Sequence, residues 1–119
     1  MDILEKLWNA SKWSIAGLVG AFKNELAFRL ELVAAVILTP LAFYIAEDLN
    51  QLLWLIFSVY LVLIVELLNS GIEAAIDRIG QELHQMSKYA KDVGSAAVFC
   101  TVLLATMMCL IIIGFNQYS

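Results

Sequence analysis

Four polar side chains in the stretch VELLNSGIEAAIDRIG, Val65 to Gly80, share a helical register: Glu66, Asn69, Glu73 and Asp77. Offsets of three, four and four place them on one face over about 16 Å of helix. The stretch follows LLWLIFSVYLVLI without a break, so Glu66 stands at the end of an uncharged apolar run. An ionised carboxylate at hydrocarbon depth is costly, and acids there usually face a polar cavity, a partner or a metal. Further charge gathers at Glu25 in KNELAFRLE and at Lys91 and Asp92 in KDVGSAA. Acids, an amide and a lysine at a lipid boundary suit phosphoryl transfer to a lipid hydroxyl. Carboxylates would hold Mg²⁺ against a nucleotide, a cation would offset phosphate charge, and one carboxylate would take the proton of the attacking alcohol.

The residues also admit plainer readings. By spacing alone, Glu73 and Asp77 fit an ordinary solvated acidic pair equally well, and Lys91 with Asp92 a headgroup-level pair. Glu82 and His84 fit a hydrophilic loop. Glu66 is the hardest to explain as surface. The soluble nucleotide-binding signatures are absent: there is no GxxxxGK[ST], no Gly-rich kinase loop, no HRD and no DFG. A kinase built from this chain must use membrane helices as its scaffold.

The elements that position these groups follow from composition. The chain has 119 residues, 62% of them hydrophobic, a net charge of −4 and a mean hydropathy of +0.85. This is far more apolar than a soluble domain of that size can bury. Three windows approach the roughly 20 residues needed to span a bilayer. They lie at about 28–46, at 49–65 with helical continuation to about 79, and at 93–115. Pro40 should bend the first. Residues 1–24 space large apolar groups by threes and fours against Glu5, Lys6, Asn9 and Lys12, and predict an interfacial amphipathic helix that turns into span one near Asn24 and Glu25. Nothing in MDILEKLWNASKW has the pattern of a secretory signal. Cys100 and Cys109 sit about 13.5 Å apart along one helix and cannot bridge within the chain. Gly94, Ser95, Ala96 and Ala97, like Ser70, Gly71, Ala74 and Ala75, allow close helix approach in lipid. The expectation is an all-α membrane protein in a single domain, 1–119.

All seven basic residues lie before or at the very start of span one or between spans two and three, whereas AEDLNQ has none. The positive-inside rule therefore puts the N-terminus and residues 78–91 in the cytoplasm, on the side where nucleotides are found.

VELLNSGIEAAIDRIG with AKDVGSAAV, the preceding KNELAFRLE and the loop Glu82, Leu83, His84 resemble, in order and spacing over nearly the whole chain, the bacterial integral-membrane diacylglycerol kinase family. The resemblance implies ATP-dependent, Mg²⁺-assisted phosphorylation of diacylglycerol to phosphatidic acid in the inner membrane, by a homotrimer with sites shared between protomers and no nucleic-acid partner. By motif, Glu66 would be the general base and Asn69 its support, and Glu25 and Glu73 would hold the metal–nucleotide complex. Lys91, Asp92, Glu82 and His84 would engage the nucleotide, and Asp77 would position a partner not assignable from sequence. Trp13, Ser14 and Ser95, with Glu66, would lie at the lipid substrate. Lys6 stands where the family can carry arginine, and lysine lacks the planar fork. A polyprenol kinase such as one acting on undecaprenol would use the same base and metal positions. An ion-coupled transporter would explain Glu66 but leave Glu25, Lys91 and Asp92 idle, and a non-catalytic scaffold would explain only the N-terminal helix.

Overall fold

The computed structural model describes residues 2–80 and 85–118, all of whose regular structure is helical. The first helix, α1, covers Ile3–Asn24. Asp2 starts it by accepting the Glu5 amide at 2.8 Å, the side-chain cap that offsets one unpaired N-terminal donor. At its other end the Arg29 guanidinium donates from Nη1 to the carbonyls of Phe22 at 2.8 Å and Lys23 at 3.0 Å. A cation on terminal carbonyls satisfies lone pairs the helix cannot use and suits the negative end of its dipole. Glu25 is the joint, with φ −115° and ψ 107°, so the chain turns between α1 and the next helix at the expected place. No α1 residue is buried; Trp8 and Trp13 are both exposed.

The second helix, α2, spans Leu26–Ile45 and runs unbroken through Pro40. Its buried residues, Phe28, Ala35 and Ala42, recur every seven positions and so form a single stripe. The third helix, α3, covers Leu49–Ile79, 31 residues, begun by an Asp48 cap on the Gln51 amide at 2.8 Å. It buries Leu55, Ser58, Val62, Leu63, Glu66 and Asn69, again one face. Phe28, Ala35 and Leu63 form the core, with Leu32, Val59 and Leu67 packed around it. The fourth helix, α4, runs Gln85–Tyr118, packs along α3 and buries only Gly94.

Helices α2, α3 and α4 are each long and apolar enough to cross a membrane. In lipid the exposed leucines and valines need no protein cover, so close contact and hydrogen bonds, not water exclusion, hold the helices together. At the end away from Glu66, a clasp joins all three. Gln51 Nε2 donates to Asn116 Oδ1 at 2.8 Å, and Asn116 Nδ2 donates to Gln51 Oε1 and to the Ile45 carbonyl, both at 3.0 Å. Cys100 and Cys109 are free thiols.

Candidate active site

The one-sided pattern of α3 carries its acids into the protein. Glu66 is 5% exposed and Asn69 7%, while Glu73, one turn further, is half-buried. Asn69 Nδ2 donates to Glu73 Oε1 at 3.3 Å, tying the amide to the acid four residues on. Glu25, on the joint between α1 and α2, lies with Glu73 within electrostatic reach of Glu66. Three of the acids singled out in the sequence therefore act on one locality, although they come from two separate elements.

On α4, the turn that precedes its apolar run faces the end of α3. Lys91 Nζ donates to Asp77 Oδ1 at 2.6 Å. The Asp77 hydrogen bond, with the charges of Asp77 and Glu73, holds the Lys91 ammonium above the ordinary lysine range. Asp77 thus has a partner that spacing could not supply. Asp92, the other half of the KD pair, is held by Lys88 at 2.7 Å. Lys6 and Trp13 stand exposed on α1, and Ser95 is exposed on α4 beside Gly94. Ser14, whose Oγ donates to the Ala10 carbonyl at 2.8 Å, is brought to Glu25. The two share a hollow of about 600 Å³ with Gly17, Gly20, Ser70 and Gly71. Such a volume lies within the range of small-ligand sites. Glu82 and His84 lie outside the described residues.

Glu31 adjoins the candidate site, and the motif reading passed it over. It sits on α2 three residues after buried Phe28, is half-buried, and lies within electrostatic reach of Glu66. Its Oε2 is buried without a hydrogen-bond partner among the described residues. It also lies at one end of an apolar cavity of about 380 Å³, walled by Ala35, Ala42, Leu55, Val62 and Val102. The signal was present in KNELAFRLE: Phe28 and Glu31 are three apart, so an inward Phe28 carries Glu31 toward the same side.

Among the described residues, no three Asp, Glu, His or Cys side chains converge as a preformed metal cage. Mg²⁺ usually takes one or two carboxylates and completes its shell with water and phosphate oxygens. Glu25 and Glu73 are hard oxygen donors, and the Asn69 bond occupies only one oxygen of Glu73. The donor set fits the ion.

Fold and site together define a helical membrane protein with a carboxylate centre at one end of its spans. Comparison with known proteins narrows the class. The model of the prokaryotic diacylglycerol kinase family matches residues 12–113, and the chain belongs to that family. It is 51% identical over 96 residues to the diacylglycerol kinase of Haemophilus influenzae, covering 81% of each chain. It is 43% identical over 104 residues to that of Pseudomonas aeruginosa, covering 87% of this chain and 85% of the other. The Escherichia coli K12 diacylglycerol kinase is 45% identical over 102 residues, covering 86% and 84%.

Proposed function

We propose that this protein is an ATP-dependent diacylglycerol kinase that transfers the γ-phosphoryl group to the free hydroxyl of 1,2-diacylglycerol, giving phosphatidic acid and ADP. The observation that carries the reading is the pairing, on one unbroken helix, of a buried acid at Glu66 with a half-buried acid at Glu73, the latter held by Asn69, with Glu25 joining them from another element.

Seven residues of helix separate Glu66 from Glu73 by about 10.5 Å along the axis. The deeper acid stands at the level of a lipid hydroxyl and the shallower one at the level of nucleotide phosphates. Glu66 takes the hydroxyl proton as the new O–P bond forms and ADP leaves with the electrons of the breaking bond. Asn69 holds Glu73 in one orientation, and Glu25 and Glu73 together would carry Mg²⁺. The ion, when bound, offsets charge on the phosphate oxygens. Lys91, pre-aimed by Asp77, supplies a further cation, and Asp92, Lys6, Glu82 and His84 complete the nucleotide side. Trp13, Ser14 and Ser95 attend the lipid headgroup. Because the transition state is loose, positioning by this rigid frame contributes more than basicity.

The helix α1, with its exposed Trp8 and Trp13, lies as an amphipathic element in the headgroup layer. The distribution of basic residues orients it and the site toward the cytoplasm, in the bacterial inner membrane. The homotrimer with sites shared between protomers rests on the motif resemblance.

Purified protein in mixed micelles, given Mg-ATP labelled at the γ-phosphate and equal amounts of diacylglycerol and undecaprenol, tests the reading. Label in phosphatidic acid is expected. Preference for undecaprenol would replace the acceptor, and transfer to neither would overturn the assignment.

A further inference from the structure

Of Gly17, Gly20, Gly71, Gly94 and Gly114, Gly94 alone has no room for a side chain. Built there, a Cβ would collide with Asn69 Oδ1, lie 3.2 Å from Asn69 Cγ and 3.9 Å from Asn69 Cβ. At Gly17, Gly20, Gly71 and Gly114 the same atom would meet nothing within 4 Å. Gly94 is also the sole buried residue of α4, so the close approach of α4 to α3 is made at this point. The side chain opposite it is Asn69, whose Oδ1 is buried with no hydrogen-bond partner among the described residues and whose Nδ2 donates to Glu73. The amide is therefore wedged, its oxygen against the bare Cα of Gly94 and its nitrogen toward the carboxylate.

We propose that Gly94 is a positioning residue for the site: its missing Cβ is what keeps the Asn69 amide turned toward Glu73, and so fixes how Glu73 presents its second oxygen. The proposal deepens the kinase reading and rests on Glu73 as a ligand of the metal–nucleotide complex. Asn69 Cγ, at 3.2 Å from the added carbon, has only to give by a few tenths of an ångström, but Oδ1 has to swing away. Turning the amide moves Nδ2 with Oδ1, which breaks the bond to Glu73. Lys91 lies one turn before Gly94 on α4 and so shares its face. The same turn that brings a cation to Asp77 thereby sets the amide.

Binding of Mn²⁺ with adenylyl imidodiphosphate, followed by electron paramagnetic resonance, reads this without turnover. Gly94→Ala should weaken Mn²⁺ binding about tenfold, the scale of losing a hydrogen bond to a metal-bound carboxylate. In an Asn69→Ala background the clashing amide is gone, and the remaining Cβ of residue 69 lies 3.9 Å away, at ordinary contact distance. There Gly94→Ala should change affinity by less than about twofold, the limit of additivity for groups that no longer interact. Gly114→Ala, with open space around it, is the control and should leave binding unchanged. Equal penalties in both backgrounds, or none in either, would make Gly94 a packing residue and overturn the proposal. If Gly94→Ala alone does not fold, recovery of folding in the double variant supports the clash with Asn69, and continued failure refutes it. Wild-type protein that transfers phosphoryl to diacylglycerol while Gly94→Ala binds Mn²⁺ normally would sink this inference alone. Wild-type protein that neither transfers nor binds would sink the kinase reading and take this inference with it.

Discussion

Lys91 Nζ lies 2.6 Å from Asp77 Oδ1, a bond between α4 and α3 across fourteen residues of sequence. The carboxylate both aims the ammonium and keeps it protonated. Asp77→Asn should therefore raise the KM for ATP about threefold, the modest scale of an exposed pair, with little change in KM for diacylglycerol. The sign of the pH effect follows from the raised Lys91 pKa. Stability contributed by the pair is present below the unfolded lysine value and vanishes as pH rises through the folded one. Losing Asp77 lowers the folded value, so the alkaline limb of the rate profile should move to lower pH. A profile that superimposes on that of the wild type would remove Lys91 from the nucleotide site.

The two acids of α3 should fail differently. Glu66→Gln should cut kcat about a hundredfold or more while leaving nucleotide affinity largely intact, because only proton acceptance is lost. Glu73→Gln should instead raise the Mg²⁺ concentration for half-maximal rate about tenfold. A metal titration of both variants separates them, and a reversal of the two phenotypes would exchange the assigned roles.

Arg29 closes the end of α1 with two hydrogen bonds to backbone carbonyls. Arg29→Ala should loosen α1 from α2 without unfolding the spans. Quenching of Trp8 and Trp13 fluorescence by brominated lipid, compared with wild type, is the measurement; identical quenching depth would show that the headgroup layer alone holds α1.

At the far end of the bundle Asn116 bonds Gln51 and the Ile45 carbonyl. Asn116→Leu should cost about 1 kcal/mol of stability in detergent, in keeping with hydrogen bonds inside membrane proteins. Denaturant titration of purified variant reads it. Phosphoryl transfer under stable conditions should be unaffected.

Periodicity made the buried face of α3 legible: Glu66 and Asn69 follow Val62 and Leu63 inward because each step of three or four returns to the same side. The turn at Glu25 was legible because α1 differs in composition from α2. What could not be read was contact between helices. Lys91 meets Asp77, and Gln51 meets Asn116 across 65 residues, through packing angles and side-chain reach that no local pattern encodes. Glu31 shows the intermediate case, since its helical register was readable but the charge it would face was not. Gly94 reads in sequence as one more small residue favouring close approach; that the approach is made against one amide depends on how α4 is rotated about its axis.

Bonds at both ends fasten α4, to Asp77 near its start and to Gln51 and Ile45 near its finish. A rod tied near both ends is held back from sliding along its neighbour. Widening of the apolar cavity between α2, α3 and α4 is then opposed least as bowing of the middle of α4, the flexing of a beam between two supports, and more as a shear of one helix past another.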